Sequence, residues 1–150
     1  MTNLKVVIRS ARPDESVAIA TLLTELGYPS NAGDIPGRMS GVLAHGGAVV
    51  VAVTEDDTPL GLMALAPYWG LHTAGPSAYI IALVIAATAR RRGVGKALVD
   101  YAKRWAVDNG CERLVVTSAE HRSDAHAFYP SMGMPYTGRR FSASLEMDGR

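Results

Sequence analysis

A long apolar run, a basic turn with two glycines and an amphipathic stretch follow one another in this chain and constrain its fold most. The apolar run covers residues 78–87 and contains no charged side chain. The turn, RRRGVG at residues 90–95, comes shortly after it. Residues 94–109 then carry apolar side chains at helical spacing. This order predicts a buried strand, a tight turn and a helix.

A strand, a glycine-containing turn and a helix in this order form a site for an anion. The glycines allow close approach of the backbone, and the first N–H groups of the helix point at the ligand with the helix dipole behind them. Three arginines and Lys96 add positive charge at the same place. A phosphate or pyrophosphate is the predicted ligand. An ordinary turn with a solvated basic face is the alternative reading.

Length and charge limit the classes of protein to which this chain can belong. One domain over residues 1–150 is expected, long enough to bury a sizeable core. The formal net charge is +1, so nucleic acid and acidic membranes are not expected partners. The single cysteine, Cys111, rules out an internal disulfide or a multi-cysteine metal site and suits a reducing, cytoplasmic location. No metal is expected. Residues 58–89 lack charge, but proline and glycine interrupt them, which argues against a membrane span.

The remaining pattern predicts alternating strands and helices. Strands are expected at residues 4–9, 48–53, 59–66, 78–87 and 113–118, with a last strand or hairpin over residues 136–145. Helices are expected after Asp14, from residue 94 to 109 and from Ser123 towards Gly133. Residues 30–47 have a weak helical pattern spoiled by proline and glycine, and a mobile segment is expected there. The strand at 113–118 should be parallel to the strand at 78–87.

Two motifs resemble those of the GCN5-related N-acetyltransferase (GNAT) family. Arg90-x-x-Gly93-x-Gly95 is similar to the family's pyrophosphate loop, and residues 125–134, AHAFYPSMGM, are similar to its A-x-x-F-Y-x-x-x-G-F segment. The resemblance covers nearly the whole chain. It implies a mixed α/β (α+β) fold with a mostly antiparallel sheet of six to seven strands. That sheet would be splayed between strands four and five and flanked by about four helices.

The resemblance also implies roles for individual residues. The loop would bind the pyrophosphate of acetyl-CoA, and the end of the fourth strand would pair with its pantetheine arm. Tyr129 would protonate the departing thiolate. The implied cofactor residues are Leu83, Val84, Ile85, Arg90, Arg91, Arg92, Gly93, Val94, Gly95 and Lys96.

Three positions depart from the family pattern. Many relatives carry a glutamate base on the fourth strand, where this chain has Ile81 and Ala82. Arg122 stands where an asparagine is common, and Pro130 directly follows Tyr129, which predicts a helix break there. The candidates for a replacement base are Glu120, His121, His126, His72 and Tyr79, and proton transfer to water is the other possibility.

Acceptor recognition is expected in loops at the strand ends, where Tyr28, Tyr68 and Trp69 are candidate substrate-binding residues. Aromatic residues there are equally compatible with core packing or a homodimer contact. The predicted function is transfer of an acetyl group from acetyl-CoA to a primary amine of a small molecule or peptide. The alternatives are a catalytically inactive acyl-CoA-binding regulatory module and, more remotely, a nucleotide-binding domain of the dinucleotide type.

Overall fold

The computed structural model describes residues 3–118 and 123–146. Contacts divide the chain into two compact units, residues 1–116 and 117–150. The first unit contains the sheet and three helices, and the described part of the second contains one helix, followed by residues 134–146 without regular secondary structure.

A five-stranded sheet forms the centre of the first unit. Its strands lie side by side in chain order, with antiparallel pairing throughout except between the last two, which are parallel. The predicted parallel pair is therefore confirmed. The strands are β1 (Val7–Ser10), β2 (Ala48–Val53), β3 (Pro59–Tyr68), β4 (Ser77–Ile85) and β5 (Arg113–Val116).

Helices cover both faces of this sheet because its central strands bury side chains on both sides. In β2, Val49 and Val51 pack in one apolar layer with residues of the first two helices, whereas Val50 packs in a second layer with Leu98 of the third helix. This alternation follows from the two-residue period of a strand. The helices are α1 (Ser16–Leu26), α2 (Ile35–Ala44), α3 (Val94–Asp108) and, in the second unit, α4 (Ser123–Ser131).

The helix α2 corrects the expectation of a mobile segment over residues 30–47. Pro36 lies at the start of the helix, where its missing N–H removes no intrahelical hydrogen bond. Ile35 and Met39 are buried against the sheet, and burial of this kind stabilises a helix despite its glycines. Gly37 and Gly41 face open space, so their lack of a side chain leaves no gap in the core.

The strand count is also lower than expected. The described residues form five strands instead of six or seven, and the last strand or hairpin predicted over residues 136–145 is wrong, because those residues form no strand. The large apolar side chains of Tyr136, Phe141 and Leu145 are mostly exposed. These three side chains do not alternate at the two-residue period of a strand. A segment forms a strand only where it can pair with a neighbouring strand and bury one face, so suitable residue types alone are not enough.

Candidate functional site

A bulge interrupts the regular pairing of β4 with β3. Ala82 pairs with Ala64 and Ile80 pairs with Leu65, which leaves Ile81 as an extra residue on β4. The side chain of Ile81 is 49% exposed in a strand that is otherwise mostly buried or half-buried. A bulge bends its strand and increases the local twist, and bulges are common next to active sites. No local sequence signal indicates this bulge, since Ile81 lies within a continuous apolar run.

The pairing of β4 with β5 ends next to this bulge. Residues Ser77 to Ile80 pair with Arg113 to Val116, whereas β4 continues to Ile85. Within the first unit, residues 81–85 therefore pair with β3 on one side and with no strand on the other. An extended ligand that pairs with this edge would meet the Ile85 carbonyl as an acceptor already bonded to the Nε of Arg90. The side chain of Val84 is buried against the first two helices, so this residue would meet such a ligand through its backbone.

The turn between β4 and α3 adopts a left-handed conformation twice. Arg91 has φ 62° and Gly93 has φ 85°. Gly93 directly precedes α3, and no side chain caps this end of the helix. The first turn of α3 also contains no acidic residue, although acids are the residues that a helix N-terminus favours. The result is a set of uncapped backbone N–H groups in a positive field, which suits an anion.

The basic side chains around this turn differ in their surroundings. Arg90, Arg91 and Lys96 are exposed. The Nε of Arg90 donates to the carbonyl of Ile85 over 3.4 Å. The Nζ of Lys96 contacts Oδ2 of Asp100 at 2.9 Å, and this hydrogen bond holds the pKa of Asp100 below its usual range.

The N-terminal segment supports the turn from one side. The N–H of Leu4 donates to the carbonyl of Arg92 over 2.8 Å. The side chain of Asn3 lies so close to Gly93 that a Cβ on this glycine would be 3.0 Å from Cγ of Asn3. Sequence reasoning missed both residues, because no local motif links positions 3 and 4 to a turn about ninety positions later.

Exposed aromatic side chains lie at the other end of β4. Tyr68 ends β3 and packs on Tyr79 of β4, with ring centroids 5.3 Å apart and the planes tilted by 45°. Trp69 follows in the loop and is 72% exposed. Tyr28, also largely exposed, follows the left-handed cap Gly27 at the end of α1. The structure thus joins the predicted residue Tyr68 to Tyr79, which sequence analysis had considered only as a base.

The second unit carries Tyr129 on α4. Its ring meets the ring of Phe128 edge-on, with centroids 5.2 Å apart. The expected helix break at Tyr129 is wrong, because the helix continues through Pro130 to Ser131. The carbonyl of Tyr129 accepts hydrogen bonds from the N–H groups of Met132 and Met134, both at 3.0 Å, around a left-handed Gly133. Proline at this point lies in the last turn of a short helix.

The candidate bases are only partly described. His72 lies exposed in the loop before β4, and His126 is exposed on α4. Glu120 and His121, together with the departure at Arg122, lie outside the described residues. Burial raises the pKa of the Cys111 thiol, which disfavours the thiolate form that acts as a nucleophile. Among residues 3–118 and 123–146, no cluster of three or more His, Cys, Asp or Glu could hold a metal ion, and no helix is long and apolar enough to cross a membrane.

The sequence profile of the acetyltransferase (GNAT) family matches residues 23–134, about three quarters of the chain. The chain belongs to this family. The matched range begins within α1 and ends after α4, so it includes the uncapped turn, the β4 bulge and Tyr129. The resemblance inferred from the two motifs is confirmed.

Individual GNAT proteins agree with this assignment. Aminoglycoside N(6')-acetyltransferase type 1 of Klebsiella aerogenes is 37% identical over 75 residues, 49% of this chain and 49% of that protein. The match thus spans about half the length of this curated relative. A crystal structure of a Trypanosoma brucei acetyltransferase superposes with a TM-score of 0.80 at 19% identity and covers 94% of this chain and 100% of that one. AAC(6')-Iy, solved in complex with the bisubstrate analogue CoA-S-monomethyl-acetylneamine, gives a TM-score of 0.77 at 19% identity, with 95% and 99% coverage. At these identities the two structures show the GNAT fold.

Proposed function

We propose that this protein is an acetyl-CoA-dependent N-acetyltransferase that moves an acetyl group directly from the thioester to a primary amine of a small molecule or peptide. The uncapped N-terminus of α3 carries the proposal. The helix follows a left-handed turn and has no acidic residue among its first residues. Its N-terminus also comes soon after β4, whose second half has no pairing with β5. A diphosphate and an extended arm attached to it would suit these two features together.

The diphosphate would lie on the backbone amides of the turn. Residues 91–96 supply these amides, and Arg90, Arg91, Arg92 and Lys96 supply positive charge. Lys96 would have to share its charge between Asp100 and the ligand, because the two side chains contact at 2.9 Å. The pantetheine arm would then run along residues 83–85 and hydrogen-bond to their outward backbone groups as a further strand does.

The transfer itself requires two proton movements. The neutral amine nitrogen attacks the thioester carbonyl carbon, so that a C–N bond forms and the C–S bond breaks. Tyr129 would give its proton to the departing sulfur, the nitrogen would lose one to water, and the tyrosinate would regain a proton from solvent, leaving an acetamide and the free thiol of CoA. A phenol is neutral at pH 7 and can therefore donate to a developing thiolate. Support for Tyr129 comes from its place in the family motif.

Deprotonation of the acceptor is the costly step. An amine with a pKa of about 10.4 is almost fully protonated at pH 7, and the neutral form costs roughly 4.6 kcal/mol. Ile81 and Ala82 stand where many relatives carry a glutamate, so no carboxylate on β4 can take this proton. We propose that water accepts it. Tyr28, Tyr68 and Trp69 would contact the acceptor.

Calorimetry with acetyl-CoA, followed by a thiol-release assay with a broad panel of amines, tests the proposal. Binding together with release above background supports the enzyme. The missing strand carboxylate favours one alternative, a non-catalytic acyl-CoA-binding module, and tight binding with no release for any amine would indicate it. No binding of acetyl-CoA would overturn both functions.

A further inference from the structure

We infer that the acceptor is a monoamine carried on an aromatic or other flat apolar body, and that the aromatic pair Tyr68–Tyr79 determines this specificity. The inference rests on the proposed function and names its substrate class. It depends on where the pair lies, on the exposure of Tyr68 and on the absence of charged residues from the segment that carries both rings.

The pair borders the point where β4 and β5 stop pairing. Tyr79 lies one residue before Ile80, which makes the last pair with β5, and two residues before the bulge at Ile81. The pantetheine arm proposed along residues 83–85 would bring its thioester to the gap that opens there. An acceptor held by the ring of Tyr79 would therefore bring its nitrogen next to the reacting carbonyl.

Both rings lie on the sheet face that is covered by α1 and α2. Ile80 and Leu65 pack in the apolar layer of α3, and successive strand residues point to opposite faces. Tyr79, one residue before Ile80, and Tyr68, three residues after Leu65, therefore point the other way. Their contact at 5.3 Å confirms that they share a face. Tyr68 is 60% exposed, so much of its ring is open to a ligand.

The surroundings of the pair contain no charged group from their own segment. Residues 58–89 include β3, the loop and β4, and they contain no Asp, Glu, Lys or Arg. In a partly desolvated site, each ammonium of a polycation such as an aminoglycoside or a polyamine requires a carboxylate or a similar partner. This segment offers ring faces instead. Trp69 and Leu71, both exposed in the loop that follows Tyr68, also carry no charge.

Ring faces also suit the chemistry of the nucleophile. A carboxylate beside the amine would stabilise the ammonium and oppose its deprotonation, whereas an aromatic face attracts a cation more weakly, by about 0.5–2 kcal/mol. A flat apolar body gains binding free energy from stacking and burial. Such an acceptor would be held tightly by its body while its nitrogen remains able to lose a proton.

A substrate panel tests the class directly. Phenethylamine and tryptamine are compared with kanamycin and spermidine at saturating acetyl-CoA, with thiol release as the readout. We expect kcat/KM for the two monoamines to exceed that for the two polycations by at least tenfold. Higher kcat/KM for either polycation, or binding of acetyl-CoA without turnover of either monoamine, would overturn the inference while leaving acetyl-CoA binding in place. Failure of the wild type to bind acetyl-CoA would instead overturn the proposed function as well.

Variants test the residues. Tyr79→Ala should raise KM for phenethylamine about tenfold with KM for acetyl-CoA unchanged. Tyr79→Phe keeps the ring and should raise the KM for phenethylamine less than Tyr79→Ala does, whereas a KM as high as that of Tyr79→Ala would contradict a role for the ring face. Trp69→Ala changes a 72% exposed residue, so it should fold even if Tyr79→Ala does not, and it should raise the KM for phenethylamine several-fold.

Val7→Ala, at the opposite edge of the sheet, is the matched control and should change neither the KM for phenethylamine nor the KM for acetyl-CoA. Unchanged KM for phenethylamine in both Tyr79→Ala and Trp69→Ala would overturn the assignment.

A binding measurement independent of turnover is also available. The chain contains two tryptophans, and Trp105→Phe leaves Trp69 as the single reporter. Phenethylamine should change the Trp69 fluorescence of this variant in a saturable way, and kanamycin should not. The reverse result would contradict the inference.

Discussion

The substitution Gly93→Ala tests whether the left-handed turn before α3 holds the ligand. Gly93 has φ 85°, and an L-residue in this region costs about 1–2 kcal/mol. The added Cβ would lie 3.0 Å from Cγ of Asn3, but Asn3 is exposed and can rotate away, so this contact adds little. The strain can be expressed in two ways. If the turn keeps its shape, the free energy of unfolding falls, and if the turn relaxes, the strain must be restored when the ligand binds.

We expect relaxation, because the turn is largely exposed. The affinity for acetyl-CoA should then fall by up to the strain energy, a factor of about 5–30. Isothermal titration calorimetry measures this factor, and denaturant unfolding measures the part that appears as lost stability. The two losses together should come to about 1–2 kcal/mol.

Gly110→Ala is the matched control for Gly93→Ala. Gly110 also has a positive φ, 72°, and a Cβ there would meet nothing within 4 Å. It lies after the other end of α3, so its strain should reduce stability by about 1–2 kcal/mol and leave the affinity for acetyl-CoA unchanged. If Gly93→Ala loses no stability and still binds acetyl-CoA within twofold of the wild type, the role of this turn in binding is refuted.

Three further predictions concern the turn, the acid and the ion pairs. Gly95→Asp should abolish binding of acetyl-CoA in calorimetry, because it adds a side chain and a like charge where the diphosphate would lie; normal affinity would count against the turn. Tyr129→Phe should lower kcat on the order of 10- to 100-fold with little change in KM for acetyl-CoA, and unchanged turnover would remove Tyr129 from its role. Arg9 donates paired hydrogen bonds to Glu15, at 2.9 and 2.7 Å, and these hold the pKa of Glu15 below its usual value of 4.5. The ion pair therefore stabilises the fold above pH 4.5, and this stabilisation is lost as the pH falls through the lowered pKa. Glu15→Gln should therefore lower the free energy of unfolding, measured with denaturant, by on the order of 1 kcal/mol at pH 7. The difference from the wild type should be smaller at pH 3. An equal difference at both pH values would contradict the assignment.

The local sequence pattern was sufficient to predict the elements whose hydrophobic and glycine signals lie within their own residues. The apolar run, the turn and the amphipathic stretch became β4, the left-handed turn and α3, with bounds of Ser77–Ile85 and Val94–Asp108 against the predicted 78–87 and 94–109. Hydrophobic periodicity and glycine preferences act over a few residues, and these residues adjoin in the chain. The two motifs that indicated the GNAT family were readable for the same reason.

Tertiary contacts decided α2 and the number of strands. The sequence of α2 favours a loop because of Pro36 and Gly37, and burial of Ile35 and Met39 outweighs that preference. Residues 136–145 contain aromatic and aliphatic side chains but form no strand, because a strand needs a paired neighbour as well as a suitable composition.

The details of the candidate site depended on the tertiary structure even more. The bulge at Ile81 arises from the register with β3, and the contact of the Tyr79 ring with the Tyr68 ring arises from the same pairing. The contacts of Asn3 and Leu4 with the turn join residues about ninety positions apart in the chain. The sequence by itself determined the strand, the turn, the helix and the family. Only the folded chain decided which distant residues border the site, because strand register and loop contacts are set by partners far away along the chain.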